Sequence, residues 1–588
     1  MAKNLTKGLS LLESKNKKKF YKILIIQFLK SLFDIFGVAS IIPLIYLLVE
    51  SDKFIVFYNN KISSYNLNFL YFDNFQSLLI FIILFLFIFF FIKFLFSVFA
   101  FNYEIKWQQK LITKLCTKLF SSYLKLDIEK FVSKKNSDLI RNINSEVNQY
   151  VKFYIQPLYL LFAETFKIVG ISFILIIFKP KFFLIIVSIS LIFVFIFNFF
   201  LKKKILKLGA DKLIFSGLIL KYIEEGIGSL KEIKLTKNKD YFVKLYNKIA
   251  KKNEKLFVKY NFLSFFPRYV IELISITFIL ALILFSYFSY NSDFSSILIV
   301  LAVYSAAFFR LLPSISLAYQ HYSAITFSEK TVLNLQTEFT NNFIDESLSS
   351  KKISITNKQE FEKINSISLI NLNYQYPNSK KQIFENINLE FKKGFIYGIK
   401  GDSGSGKTTL INLIIGFLKA NSGKILINNK FNIINNLRNW QDKISYMPQK
   451  SFLINETIRN NIALGEYDDE INNEKIEIAL KKANLSNVIE SKKLGLNEMV
   501  GQSGVFLSEG QKQRIGIARL LYFDKEIIFL DEFTSALDKI NEELIIERIT
   551  KLKSDRIIFL ISHSSKLLNH SDYILEINEG RINMSKKV

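Results

Sequence analysis

Long apolar runs dominate the first 320 residues of this 588-residue chain, whereas the remainder mixes apolar and polar positions more evenly. The run Leu78–Ala100 contains only Lys93 and Ser97 as polar residues. At about 1.5 Å per helical residue, it is long enough to cross a membrane core of about 30 Å. Six such runs predict six transmembrane helices, at residues 23–49, 77–100, 155–178, 182–201, 268–289 and 295–318.

Two long polar stretches, 101–154 and 202–267, keep apolar residues at the three- and four-residue spacing of helices. We therefore expect the membrane helices to continue far beyond the bilayer. Residues 202–259 carry sixteen Lys, whereas 178–182 and 286–296 carry only two between them. Because cytoplasmic segments are enriched in Lys and Arg, the N-terminus and both polar stretches are predicted to be cytoplasmic.

Composition narrows the class of partner. The formal net charge of +27 is compatible with nucleic acid or a lipid surface, but a Lys-, Ile-, Asn- and Phe-rich chain is also what an AT-rich genome encodes. We expect membrane lipid and no nucleic acid. The single cysteine, Cys116, excludes an internal disulfide. The first apolar run is too long for a cleavable signal peptide, so it is expected to target the chain itself.

A glycine-rich loop follows the apolar strand 395–399 and precedes an apolar helix that begins near Leu410. Its backbone N–H groups suit nucleotide phosphates, Lys407 adds a positive charge, and the Thr408 hydroxyl is suited to ligate Mg²⁺. The sequence therefore predicts a P-loop nucleotide site. The loop reads Gly401-Asp402-Ser403-Gly404-Ser405-Gly406-Lys407-Thr408.

A second apolar strand, 527–530, ends in Asp531 and Glu532. In a parallel sheet this strand brings Asp531 to the Mg²⁺ side of the phosphates and Glu532 to the attacking water. The predicted organisation is a membrane α-helical domain (1–329), a polar linker (330–365) and an α/β P-loop ATPase domain (366–588).

The order and spacing of the motifs resemble those of ATP-binding cassette (ABC) exporters, over essentially the whole chain. The further motifs are Leu507-Ser508-Glu509-Gly510-Gln511, Ser535-Ala536-Leu537-Asp538 and Ile561-Ser562-His563. The resemblance implies an ATP hydrolase coupled to transport, located in a bacterial inner membrane, with ATP and Mg²⁺ as cofactors. It also implies that turns near Leu126–Phe131 and Glu225–Glu232 dock on the ATPase domains.

The resemblance also implies the roles of individual residues. The catalytic residues are Glu532, His563 on the γ-phosphate, and Gln449, which senses Mg²⁺. The cofactor contacts are Tyr376 on the adenine, Gly401, Ser403, Gly404, Ser405, Gly406, Lys407, Thr408, Thr409, Ser508, Gly510 and Gln511. The metal ligands are Thr408, Gln449 and Asp531.

Each chain carries one membrane half and one ATPase half, and the family caps each ATP with Ser508, Gly510 and Gln511 of the opposite subunit. A homodimer is therefore implied. Glu509 departs from the family pattern, which has Gly there. Because a carboxylate would repel the γ-phosphate, we expect the Glu509 side chain to point away from it.

Three cations, Lys93, Arg268 and Arg310, lie inside predicted spans at a similar depth. Charges in a membrane span cost about 2.5–3.5 kcal/mol each, so they call for an explanation. They either reach inner-leaflet phosphates or pair with Glu272 and Glu164, or they line a cavity for an anionic head group such as pyrophosphate. Lys30 and Asp34, one helical turn apart, are expected to neutralise each other.

Local sequence favours the head-group hypothesis. The stretches 266–269, Phe-Pro-Arg-Tyr, and 309–314, Phe-Arg-Leu-Leu-Pro-Ser, resemble those of the PglK-type lipid-linked oligosaccharide flippases. In that family a short outer helix contacts polyprenyl tails, and the long outer loop Glu50–Asn74 could form one. The alternatives are an ABC exporter of peptides, drugs or a lipid A-like lipid, and a catalytically inactive ABC channel or regulator. Intact Lys407 and Glu532 argue against the last.

Overall fold

The structure is a computed structural model that describes residues 8–64, 71–72, 74–178, 180–289, 294–340, 363–377, 379, 381–578 and 580–587. The chain divides into two compact units. Unit 1 comprises Met1–Leu126 and Ser133–Asp345, and unit 2 comprises Asp127–Val132 and Glu346–Val588.

Unit 1 is entirely helical in its described part. Its helices are α1 (Ser14–Ala39), α2 (Ile41–Val49), α3 (Ser51–Ser64), α4 (Phe75–Leu124), α6 (Asn136–Arg141), α7 (Val147–Tyr150), α8 (Gln156–Phe178), α9 (Pro180–Gly228), α10 (Leu230–Thr236), α11 (Lys239–Ser289) and α12 (Phe294–Phe327). Two π-helical turns, Asn142–Glu146 and Val151–Ile155, join α6, α7 and α8.

Five helical stretches among the described residues are long and apolar enough to cross a membrane. They correspond to five of the six predicted spans, and the remaining one, 182–201, lies within α9. Helix α4 has 50 residues, about 75 Å at helical rise, which far exceeds a membrane core. The predicted long extensions are therefore present as continuous helices.

The end of unit 1 differs from the predicted boundary at residue 329. Residues 329–340 are helical, whereas the sequence predicts a linker from residue 330. Val332, Leu335 and Phe339 are buried in the same core as Trp107 of α4. Their spacing of three and four residues gives this segment one apolar face, and packing of that face holds it in a helix.

A buried ion pair fixes the helical extensions to each other. Lys212 of α9 donates to Glu146 at 2.9 Å, and both side chains are almost fully buried. The Thr331 hydroxyl donates to the other oxygen of Glu146 at 2.7 Å. Since a buried charge is tolerated only when it is paired, these bonds specify how the helices meet.

Unit 2 is an α/β structure with two sheets. Its strands are β1 (Ser366–Gln375), β2 (Gln382–Lys392), β3 (Ile396–Lys400), β4 (Ser422–Ile427), β5 (Phe431–Asn432), β6 (Ile444–Met447), β7 (Ile527–Asp531), β8 (Ile557–Ile561), β9 (Tyr573–Asn578) and β10 (Arg581–Lys586). The larger sheet has the order β10-β9-β3-β8-β7-β6, and the smaller one is antiparallel with the order β2-β1-β4-β5.

The helices of unit 2 connect these strands. They are α5 (Ile128–Val132), α13 (Lys407–Ile415), α14 (Leu437–Gln441), α15 (Ile458–Ile462), α16 (Asn473–Lys482), α17 (Ser486–Glu490), α18 (Glu509–Phe523), α19 (Lys539–Thr550) and α20 (Ser565–Leu568). Helix α5 coincides with the first predicted docking turn, Leu126–Phe131, and it groups with unit 2 although it is encoded between helices of unit 1.

The central strands of the larger sheet are parallel and apolar on both faces. Residues Ile527–Leu530 of β7 and Ile557–Ile561 of β8 are all buried. Continuous apolar runs are typical of strands covered on both faces. Strands β3, β6, β7 and β8 run parallel, so their carboxyl ends meet at one edge, where ligands bind in open α/β sheets.

Candidate functional site

The phosphate loop connects β3 to the first residue of α13. Gly404 and Gly406 have φ angles of +81° and +108°, which residues with a side chain rarely adopt. This conformation aims the loop and the N-terminus of α13 at a common point, as anion binding requires. The Ser405 hydroxyl is buried and has no hydrogen-bond partner among the described residues.

The Lys407 ammonium is folded over its own loop. It donates to the carbonyls of Gly401 at 2.7 Å and Asp402 at 3.0 Å. Phosphate oxygens are better acceptors than carbonyls, so a nucleotide would draw this group away from them. Thr408 is exposed, whereas Thr409 is buried.

Tyr376 lies beside the loop, as the adenine assignment requires. Its hydroxyl shares a 3.0 Å hydrogen bond with the hydroxyl of Thr409, and 37% of the residue is exposed. The Tyr374 ring meets the Tyr376 ring edge-on at 5.0 Å and supports it. These two contacts fix the orientation of the Tyr376 ring, which is partly exposed at the edge of the loop. Its contact with adenine stays a prediction.

Asp531 is the last residue of β7 and is half-buried. Burial and the adjacent Glu532 carboxylate raise the pKa of Asp531, while a hydrogen bond from the Tyr446 hydroxyl opposes that rise. Burial and the neighbouring Asp531 carboxylate raise the pKa of Tyr446 to about 12. Sequence reasoning missed Tyr446, although its place in β6, next to β7, could have indicated it.

The Asp531 carboxylate and the Thr408 hydroxyl suit Mg²⁺, which prefers oxygen ligands and binds together with substrate phosphates. A divalent cation would also relieve the repulsion between Asp531 and Glu532 that raises the pKa of Asp531. These residues therefore fit the metal. No group of three or more His, Cys, Asp or Glu that could hold a metal by itself occurs among the described residues.

Three predicted catalytic residues meet at Glu532. Gln449 donates from Nε2 to Glu532 Oε2 at 2.6 Å, and His563 Nε2 lies 3.5 Å from Glu532 Oε1. These residues follow strands β6, β7 and β8. Glu532 has a φ of +45°, a conformation that costs a non-glycine residue about 1–3 kcal/mol. Parallel strands and a strained turn thus aim both carboxylate oxygens at the neighbouring motifs.

Ser508 caps the N-terminus of α18. Its hydroxyl accepts from the Gln511 backbone N–H at 3.2 Å, and the Gln511 side chain accepts from the Ser508 N–H at 3.0 Å. This capping box holds the end of the helix in an exposed position. A Cβ at Gly510 would lie 2.8 Å from the carbonyl oxygen of Ala536, so the residue must be glycine for that approach.

Glu509, the departure from the family pattern, forms an ion pair with Lys512. Glu509 Oε1 lies 2.9 Å from Lys512 Nζ, and 76% of the Glu509 side chain is exposed. The carboxylate therefore turns back along its own helix, and the paired ammonium offsets its charge.

The structure revises the electrostatics of the three membrane cations. Lys93 forms an ion pair with Asp34 at 2.6 Å, and Arg268 pairs with Glu272 at 2.8 Å. Arg310 is exposed, and no carboxylate of the described residues lies within ion-pair distance of it. Of the three cations predicted to bind a head group, two therefore already have carboxylate partners, and Arg310 has none among the described residues.

Two sequence predictions about pairing were wrong. Asp34 does not pair with Lys30 of its own helix but with Lys93 and Lys167. Glu164 binds Lys167 at 2.6 Å rather than one of the three cations.

The fold and the site together define a membrane protein with a fused P-loop nucleotide-binding unit. Residues 384–535 match the ABC transporter family, and residues 19–312, half of the chain, match the ABC transporter transmembrane region. The chain belongs to the ABC transporter family.

Similar proteins fall in the same family. A probable ABC transporter ATP-binding/permease protein of Haemophilus influenzae is 37% identical over 38% of this chain and 40% of its own length. An ATP-dependent lipid A-core flippase of Pectobacterium atrosepticum is 36% identical over 39% of each chain. The chain thus matches about two fifths of the length of these relatives.

One solved structure matches almost the whole fold. It is a bacterial Atm1-family ABC exporter with ATP bound, with a TM-score of 0.75, 18% identity, and coverage of 97% of this chain and 96% of the other. At this identity the likeness concerns the fold. It confirms the predicted fold class, a helical membrane region followed by an α/β ATPase domain.

Proposed function

We propose that this protein is an ATP-driven exporter of the bacterial inner membrane, in which hydrolysis in unit 2 drives a substrate through unit 1. The meeting of Gln449 and His563 on Glu532, beside a P-loop, carries the proposal. A channel or regulator without activity would not require this geometry. The membrane-length helices of unit 1 supply the route.

In this mechanism the loop N–H groups and Lys407 bind the ATP phosphates. Asp531, Thr408 and Gln449 would hold Mg²⁺, which neutralises charge on the phosphate oxygens when bound. Glu532 accepts a hydrogen bond from the attacking water and polarises it. Its oxygens contact Gln449 and His563, so these two side chains border the position that the attacking water would take.

The proposed active form is a homodimer. The capped start of α18 is exposed, and Ser508 is suited to bind the γ-phosphate of an ATP held by a second copy. Each ATP site would then consist of the P-loop of one subunit and α18 of its partner. This arrangement makes ATP binding the event that brings two copies of unit 2 together.

Glu532→Gln tests the hydrolytic mechanism. A carboxamide cannot polarise the water, so we expect ATPase activity to fall by at least about 100-fold while ATP still binds. The variant should accumulate as an ATP-bound dimer. ATPase assays and size-exclusion chromatography with ATP measure the two effects in purified full-length protein.

Glu543→Gln is the matched control, because Glu543 is an exposed carboxylate of unit 2 paired with Lys566. It should hydrolyse ATP at the normal rate. If Glu532→Gln retained more than half of the activity, the assigned role of Glu532 would be wrong.

We further propose that the substrate is a lipid-linked oligosaccharide, whose pyrophosphate is bound by Arg310 together with Lys93 and Arg268. The exposure of Arg310 supports this, because a guanidinium is suited to form bidentate hydrogen bonds with phosphate. Two relatives are named ATP-dependent lipid A-core flippases, and two others are named putative multidrug export ATP-binding/permease proteins. Transport of drugs or of a lipid A-like lipid is the alternative outcome.

A reconstituted flipping assay on Arg310→Ala, Arg310→Lys and the alanine variants of Lys93 and Arg268 tests the substrate. We expect Arg310→Ala to lower flipping per ATP hydrolysed by about tenfold, and Arg310→Lys by less, since it keeps the charge. Lys248→Ala removes an exposed cation of the polar part of α11 and should have no effect. Equal flipping by all variants would exclude this head-group site.

A further inference from the structure

The Asp34 carboxylate joins two lysines that come from different helices. Its Oδ1 lies 2.6 Å from Lys93 Nζ of α4, and its Oδ2 lies 3.7 Å from Lys167 Nζ of α8. All three side chains are only 14–19% exposed. Lys93 and Asp34 both belong to predicted transmembrane runs, where an ionisable group marks a functional site by default.

A second carboxylate competes for one of these lysines. Glu164 Oε1 lies 2.6 Å from Lys167 Nζ, and Glu164 is 6% exposed. Its other oxygen, Oε2, is buried and receives no hydrogen bond from the described residues. Lys167 therefore divides its charge between Glu164 and Asp34, and its contact with Asp34 is the looser one. Two ammonium and two carboxylate groups make the cluster neutral.

The Asp34 carboxylate lies between the two ammonium groups, in the position that an anionic ligand of both would take. A carboxylate presents two oxygens and one charge to the two ammonium groups. A phosphate presents more oxygens and more charge, so it can bond both ammonium groups at short distance. Because each side chain of the trio keeps some exposed surface, an incoming anion can reach them.

Asp34 also has an alternative partner. Lys30 lies one turn earlier in α1, at the i, i+4 spacing at which side chains of a helix meet. A rotation of the Asp34 side chain would exchange Lys93 for Lys30. Lys30 thus offers Asp34 a second electrostatic partner.

We propose that Asp34 is an internal counter-ion that holds Lys93 and Lys167 while substrate is absent, and gives them up to the phosphate of the substrate. The exchange makes and breaks only ion pairs, and the displaced carboxylate moves to Lys30. This inference rests on the proposed phosphate-bearing substrate and extends its site to Lys167 and Asp34. It explains how the positive charges of Lys93 and Lys167 are neutralised within the membrane while no substrate is bound.

Binding of a short-chain polyprenyl pyrophosphate to the full-length protein in phosphatidylcholine vesicles tests the inference. Asp34→Asn removes the competing charge, so the apparent Kd should fall about tenfold, which corresponds to about 1.4 kcal/mol. Lys167→Met should raise it about tenfold, since one ammonium is lost. Inorganic pyrophosphate and uncharged polyprenol, added separately, distinguish binding of the head group from binding of the tail.

Two further variants test the inference even if Asp34→Asn inserts poorly into the membrane. Lys30→Met removes the alternative partner and should weaken binding about threefold, because the displaced carboxylate then stays unpaired. Glu338→Gln is the control: it breaks the ion pair with Lys134, which has the same 2.6 Å length and side-chain exposures of 26% and 18%. It should bind like the wild type.

The outcomes separate the inference from the proposed substrate. If the wild type binds the pyrophosphate lipid and Asp34→Asn and Lys30→Met bind it equally well, Asp34 is not a counter-ion that substrate displaces, and the inference is overturned alone. If the wild type binds neither the lipid nor inorganic pyrophosphate, the proposed substrate class and this inference fail together.

Discussion

At the scale of single residues, Glu532 is the group to which we assign activation of the attacking water. Its strained backbone and its contacts with Gln449 and His563 hold the carboxylate in one orientation. Both oxygens have protein neighbours. We predict that these two side chains, assigned to Mg²⁺ and the γ-phosphate, also control the approach of water to this carboxylate.

His563→Ala tests this control. We expect hydrolysis to fall by about 100-fold, because a hydrogen-bond donor to the γ-phosphate is lost, whereas ATP affinity should change by less than about threefold. ATPase assays and a fluorescent-nucleotide titration measure the two quantities. His570→Ala, which replaces another exposed histidine of unit 2, should change neither. A parallel loss of affinity and hydrolysis would instead indicate a binding role.

At the scale of elements, the start of α18 serves both stability and function. The Ser508 hydroxyl satisfies a backbone N–H of its own helix and is also the group assigned to the ATP of the partner. The cap stabilises the helix whether or not ATP is bound. It also holds in place the residues that are predicted to contact the phosphate. The helix N-terminus adds a partial positive charge at that point.

Ser508→Ala should separate the two roles when compared with a second cap. Asn472 caps α16 in the same way, accepting from the Lys475 N–H at 3.0 Å. Each alanine variant should lose about 1 kcal/mol of stability. Only Ser508→Ala should also lose most ATPase activity. Thermal unfolding and ATPase assays of the full chain measure both, and an equal loss of activity in Asn472→Ala would show that the effect is one of stability alone.

At the scale of the whole molecule, unit 1 and unit 2 differ in where their apolar side chains lie. Helix α4 exposes many large apolar side chains, among them Phe85, Phe87 and Phe94, as a helix in contact with lipid does. Unit 2 instead buries its apolar residues in two cores, one on each side of the larger sheet. A second copy would complete the proposed ATP sites, so the dimer is the expected functional molecule.

The sequence by itself determined the features that are local in the chain. The phosphate loop, the strand ending in Asp531 and Glu532, and the apolar run Leu78–Ala100 each depend on residues close together in sequence. Their backbone geometry follows from glycine positions, apolar runs and periodicity, which a sequence displays directly. The fold class and the family membership could therefore be predicted.

Tertiary structure alone decided which distant side chains meet. Asp34 bonds Lys93 of another helix rather than Lys30 one turn away. Tyr446 lies on the strand next to that of Asp531 and affects the pKa of Asp531. The helix 329–340 also forms where composition favours a linker, because its apolar face packs against unit 1. Helix packing and strand order set the direction and distance of each side chain. Spacing along the chain does not contain that information.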